Sequence, residues 1–216
     1  MSLMKSAAAI ALALGLGLAG EAQATPVNNG GFETGDLTGW TAAPNTGSIV
    51  VDSMMTPPSG GNNSIKPYAG DFFVRMGGGG AGKTVTLTSS SFTINRGKDI
   101  FVAARFLRST GTLTTDDIAS IRVIDPNNVS HTIYSTDILS AGSLHNDPWT
   151  VYSYHATESG SYKIVATTTN VGSGMTRSYL VLDAARVPEP ASLGLLGMAL
   201  LAAGAAARRR MKRANA

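Results

Sequence analysis

Between Thr25 and Val187 no stretch of useful length repeats its apolar residues every three or four positions, so amphipathic helices cannot supply the core. Short runs rich in β-branched and aromatic residues take their place, punctuated by Gly, Pro, Asn and Asp, as strands and turns require. Nine such runs are legible: SIVVDSM from Ser48, DFFVRM from Asp71, TVTLTSSSFTI from Thr84, DIFVAARFLRS from Asp99, DIASIRVID from Asp117, HTIYSTDI from His131, WTVYSYHA from Trp149, GSYKIVATTTN from Gly160 and YLVLDAARV from Tyr179. In one of them Tyr162, Ile164 and Ala166 alternate with Lys163, Val165 and Thr167, the period of a strand with one buried face. That strand count predicts an all-β domain over 25–187, built as a two-sheet antiparallel β-sandwich, with no internal repeat and no second domain.

Both ends depart from this pattern. MSLMKSAAAIALALGLGLAGEAQATP has a cation at Lys5, an apolar run from Ala7 to Ala19 and the small-x-small site Ala22-Gln23-Ala24, the layout of a secretory signal peptide over 1–24. The run is shorter than the roughly 20 residues of a spanning helix, which favours cleavage before Thr25 over an uncleaved anchor. At the other end Pro188-Glu189-Pro190 precedes the uncharged stretch Ala191–Ala207, and Arg208, Arg209, Arg210, Lys212 and Arg213 follow. The stretch is near the lower limit of about 17 residues for a membrane span. Its cationic flank resists translocation, so the tail is expected to stay cytoplasmic while everything upstream is exported. The two prolines keep the adjoining backbone extended and open to a processing enzyme.

In this order of parts, residues 188–213 closely resemble the PEP-CTERM sorting signal of Gram-negative bacteria. The resemblance implies recognition by a membrane-embedded exosortase, transient anchoring in the inner membrane by helix 191–207, removal of that helix near Pro188-Glu189-Pro190, and release to the cell surface or exopolysaccharide matrix. A plain C-terminal anchor would give the same orientation.

The formal charge of +3 at first suggests nucleic acid, but it resides in the ends. Of 17 Lys and Arg, Lys5 lies in the leader and five follow Ala207, leaving 11; of 14 Asp and Glu, only Glu21 lies in the leader, leaving 13. The exported portion is slightly acidic and has no basic stripe for phosphates. Residues 77–84, GGGGAGKT, match the phosphate-binding pattern G-x-x-x-x-G-K-[ST]. They stand between two strand-like runs, read as a hairpin loop, and no helix follows to aim its N-terminus at a nucleotide. Without cysteine, neither disulfides nor thiolate metal sites can hold an exported chain. A mature region of roughly 165 residues can do so by burial alone.

The mature chain opens VNNGGFETGDLTGWT, and this Asn-Gly-Gly-Phe-Glu, Gly, Gly-Trp pattern resembles the first strand of galactose-binding-like jelly rolls, the fold of many carbohydrate-binding modules. Leu182-Asp183 with Val187 is similar to their closing strand. The resemblance implies a jelly-roll topology with the first and last strands as neighbours, and a structural calcium held by Glu33 and Asp183. Ca²⁺ takes six to eight oxygens, part of them backbone carbonyls, and would clip chain ends that lack disulfides. The alternative is that Glu33 caps a turn and Asp183 pairs with a cation such as Arg186. No other cofactor is expected.

Aromatic rings are the natural platforms for sugar. Trp40 is read as a core anchor of the first strand rather than a stacking platform. Trp149, after Pro148 and beside His145 and Asp147, is the better surface candidate, with Tyr68 as its companion; Tyr152 and Tyr154 share a strand face, and one face is normally buried. Catalysis finds little support: G-x-S-x-G and H-E-x-x-H are absent, and adjacent Asp116 and Asp117 point to opposite faces of a strand, unlike carboxylates flanking a glycosidic bond, and read as solvated turn residues. His145 and Asp147 together could bind a metal but read more simply as hydrogen-bonding groups. The expectation is a non-enzymatic surface or biofilm-matrix protein that binds exopolysaccharide through loops or a sheet face, with no nucleotide or nucleic acid as partner. A structural or adhesive matrix protein is the alternative, and an extracellular hydrolase the remote one.

Overall fold

The computed structural model describes residues 27–43, 47–57, 64–77, 82–107, 117–137, 147–171 and 178–186. The segment 1–24 expected to be a signal peptide, Pro188-Glu189-Pro190, the stretch 191–207, the terminal arginines, His145 and Asp116 lie outside them. Among the described residues eleven strands run β1 (Trp40–Ala43), β2 (Ser48–Asp52), β3 (Phe73–Gly77), β4 (Lys83–Ser89), β5 (Phe92–Ile94), β6 (Asp99–Leu107), β7 (Ile118–Ile124), β8 (Ser130–Asp137), β9 (Thr150–His155), β10 (Gly160–Asn170) and β11 (Tyr179–Arg186). They form two antiparallel sheets, one of six strands in the order β1-β4-β10-β7-β8 with β5 also on β10, the other of five in the order β2-β3-β11-β6-β9.

Pleat parity decides what each sheet buries. On the five-stranded sheet Val74, Met76, Leu180, Leu182, Ala104 and Phe106 face inward. They meet Val85, Leu87, Ile121, Val123, Ile164 and Ala166 of the six-stranded sheet in one apolar layer. Each large buried aliphatic or aromatic side chain contributes roughly 1.5–3 kcal/mol by leaving water. That layer carries a fold without disulfides.

The outer face of the five-stranded sheet is also apolar in part. Phe73, Leu107, Tyr179 and Val181 point away from the main core, yet they are buried, because Met55 and Ile65 pack over them. The two covering residues exchange backbone hydrogen bonds, Met55 N to Ile65 O at 3.0 Å and Ile65 N to Met55 O at 2.8 Å. Within the β2–β3 connection, Met55 and Ile65 therefore act as a cover over this face.

Three local expectations change. Residues 27–39 form a run of turns rather than a first strand, organised by Asn29: its Nδ2 donates to Asp36 O and Thr38 O, and its Oδ1 accepts from Thr34 N. This hook still docks on the last strand, Ala185 N donating to Gly30 O at 2.9 Å. The run from Thr84 splits at Ser90-Ser91 into β4 and β5. The glycine-rich residues 77–84 do not close a hairpin, because β3 and β4 belong to different sheets; a strand follows them, not a helix.

Candidate functional site

Trp149 stands at the end of the connection into β9, on the edge of the covered face. Its ring is half-buried against the Phe73–Tyr179 cluster, with an edge-on contact to Phe73 at 6.3 Å between centroids. Nε1 donates to Lys66 O at 3.0 Å, which fixes the ring's rotation. Tyr68, 41% exposed, lies 6.1 Å from it at 59°, so the two rings make an angled corner open to solvent. Two expected ligand residues therefore share one surface.

Asp147 joins them from the backbone, its N–H donating to Phe106 O at 3.3 Å. A residue that sequence reasoning passed over completes the group: Arg105 of β6 places its guanidinium 5.8 Å from the Trp149 ring centroid. Burial lowers its pKa below the ordinary guanidinium value, and the negative charge of Asp147 pushes it back up. Its signal was legible, a lone cation at an outward position in the apolar strand DIFVAARFL, but it became informative only once register put it beside Trp149. The fourth expected ligand residue, His145, lies outside the described residues.

The carboxylates expected to hold calcium converge a short way along the same face. Asp183 is fully buried; Oδ2 accepts from Ala69 N at 3.0 Å and Oδ1 from Ala184 N at 2.5 Å. Burial, helped by the nearby Glu33 charge, raises its pKa to about 6 against these hydrogen bonds. Glu33 is exposed, and its Oε2 accepts from Asp71 N at 2.9 Å. Among the described residues Asp183 makes no ion pair with Arg186. Both carboxylates border Gly31: a Cβ built there would sit 3.5 Å from Glu33 Oε1 and 3.7 Å from Asp183 Oδ1. Two facing carboxylates, one charged at a desolvation cost, fit a hard cation. Among the described residues no group of three or more acidic, His or Cys side chains forms, so backbone oxygens and water would complete such a shell.

One short segment serves both places. Lys66 O holds Trp149, Tyr68 supplies the second ring, Ala69 N binds Asp183 and Asp71 N binds Glu33. Gly70 is required in it: φ is +68°, and a Cβ there would lie 2.2 Å from Glu33 Oε1.

The remaining polar and aromatic candidates have structural partners. Trp40 is buried, 5.2 Å from the Phe32 ring, with Nε1 donating to Asn29 O. Tyr152 and Tyr154 face inward and meet Tyr134 at 4.6 Å and Tyr162 at 6.1 Å. His131 bonds Asp125, and His155 bonds Asp99, each at 2.9 Å. Asp117 is not the solvated turn residue expected: it is buried, and its Oδ1 accepts from Val171 N, because the backbone leaving β10 needs an acceptor there.

Residues 186–210 match the PEP-CTERM protein-sorting motif. The chain carries a signal for export and exosortase processing, with transient membrane anchoring before cleavage. No curated protein matches it in sequence. Among solved structures it is similar to the enzymatically active domain of bacteriophage CBA120 tailspike protein 4, at 12% identity and TM-score 0.45, over 75% of this chain and 21% of that one. It thus spans about a fifth of the length of that solved chain. TmCBM61 in complex with β-1,4-galactotriose matches at 14% identity and TM-score 0.41, over 75% of this chain and 96% of that one. The CBM22-1 xylan-binding domain from Paenibacillus barcinonensis Xyn10C matches at 13% and 0.41, over 79% and 97%.

Proposed function

We propose that this is a non-enzymatic protein of the cell surface or extracellular matrix, delivered by exosortase processing, whose sandwich binds extracellular polysaccharide at the Trp149–Tyr68 corner. The observation that carries the reading is the way the corner is built. Trp149 is braced from behind by Phe73, locked in rotation by Lys66 O and paired with an exposed Tyr68. A rigid, half-exposed aromatic pair offers apolar area at little entropic cost, which suits the apolar face of a pyranose. The sorting motif supports the location, since it carries the domain to where polysaccharide is the abundant polymer. Glu33 and Asp183 are proposed to hold a structural calcium that would fasten the segment carrying Tyr68, supplying charge neutralisation and no chemistry.

Co-sedimentation of the full chain, kept in detergent, with the host's exopolysaccharide and a polysaccharide panel tests this. Saturable binding that Trp149→Ala weakens by roughly tenfold or more is expected, with near-ultraviolet circular dichroism confirming the fold. Binding equal in wild type and variant would overturn the site. Binding to no polymer would leave a structural or adhesive matrix role with protein partners.

A further inference from the structure

The kind of sugar that suits the Trp149 corner turns on one side chain. Two arginines project from the outer face of the five-stranded sheet, on either side of Val181: Arg75 of β3 and Arg105 of β6 both register with it. Arg75 is committed, ion-paired to Asp52 and lying over the Tyr179 ring at 5.6 Å. Arg105 is not. Among the described residues no carboxylate comes within ion-pairing distance of it, and its Nε is buried without a hydrogen-bond partner. Its planar group lies instead against the indole of Trp149.

A guanidinium whose Nε is buried without a partner and which has no bonded anion carries a desolvation cost, and here its charge stands beside a sugar-sized aromatic corner, open to an incoming anion. The exported portion as a whole is slightly acidic, with 11 cations against 13 anions, so a diffuse attraction for polyanions cannot act; any recognition of negative charge must be local. Among anions that also present a flat apolar face, a uronic acid matches both features. Its carboxylate fits the guanidinium fork, and its ring fits the aromatic corner.

We propose that the Trp149–Tyr68 corner selects acidic saccharides, with Arg105 receiving the carboxylate of a uronic acid residue whose ring lies on the aromatic pair. The proposal rests on the glycan reading above and narrows its ligand class. Asp147, whose charge reaches Arg105, sets a counterweight: it favours the cationic form of the arginine but repels the incoming carboxylate.

The test compares polygalacturonate with neutral galactan and xylan, using the full chain in detergent at low and high salt. Polygalacturonate is expected to bind about tenfold or more tighter than the neutral polymers, with the advantage shrinking as salt rises. Arg105→Gln is expected to bring the ratio of acidic to neutral binding to about one, and Asp147→Asn to strengthen acidic binding several-fold. Equal or stronger binding to neutral polymers overturns this inference and leaves the glycan reading standing; binding to no polymer overturns both. An undiminished acidic preference in Arg105→Gln also overturns it. Should that variant not fold, Asp147→Asn decides, since unchanged binding to polygalacturonate overturns the proposal.

Discussion

Gly30 has no room for a side chain: a Cβ there would lie 1.8 Å from Ala185 O, the carbonyl next to the amide that bonds Gly30's own oxygen. Gly30→Ala must push the N-terminal hook off the last strand, and a loss of roughly 1–3 kcal/mol is expected from denaturant unfolding; an unchanged midpoint would show that the hook is not fastened there. Asp183 gives the second residue-scale expectation, and its sign is fixed by a pKa raised from 3.8 to about 6. Because the folded chain holds this proton more tightly than the unfolded one, the contribution to stability is complete below about pH 4 and is lost as pH rises through about 6. In chelator, stability should therefore fall across that window by up to roughly 3 kcal/mol, and Asp183→Asn should flatten the slope. Calcium should act in the opposite sense, stabilising above pH 6 and little at pH 4, where protons hold the site. A slope that persists in Asp183→Asn would assign it to other groups.

Among elements, the segment Lys66–Asp71 matters most, because it has no regular structure and four long-range anchors. Two of those anchors are amides bound to the carboxylate pair, so a cation between the carboxylates would hold the segment and the Tyr68 ring together. Hydrogen exchange should slow at Ala69 and Asp71 when calcium is added at pH 7, more than in the sheets, and Glu33→Gln should remove the effect; calcium-independent exchange at these amides would argue against a cation there. The strands themselves were largely legible, because β2, β7, β10 and β11 carry alternating or continuous apolar runs bounded by turn residues. β1 was not, since WTAA is short and owes its strand state to pairing with β4. Nor was the sheet change between β3 and β4, because a glycine-rich connection reads alike whether it closes a hairpin or crosses between sheets. The aromatic half of the candidate site could be read from exposed ring types, while Arg105 and the shared segment depend on register and on contacts spanning up to 114 residues of sequence.

At the scale of the whole molecule, the sorting motif and the fold meet at β11. This strand sits between β3 and β6 in the interior of the five-stranded sheet, so the sandwich cannot close until Tyr179–Arg186 has been threaded between them. Only Val187 separates that strand from Pro188-Glu189-Pro190. A spanning helix beginning just beyond would hold the completed sandwich directly against the outer membrane-water boundary, with almost no tether, until the chain is cut. Proline has no backbone N–H to give a sheet and a fixed φ, so two prolines at that junction suit a chain that leaves a strand and is to be cut there. Replacing Pro188 and Pro190 by Ala should therefore leave the domain folded, as read by near-ultraviolet circular dichroism, while the uncut chain accumulates in the membrane fraction instead of being released. If the double variant is released at the wild-type rate and size, cleavage does not read these prolines, and the delivery of the domain would need another explanation.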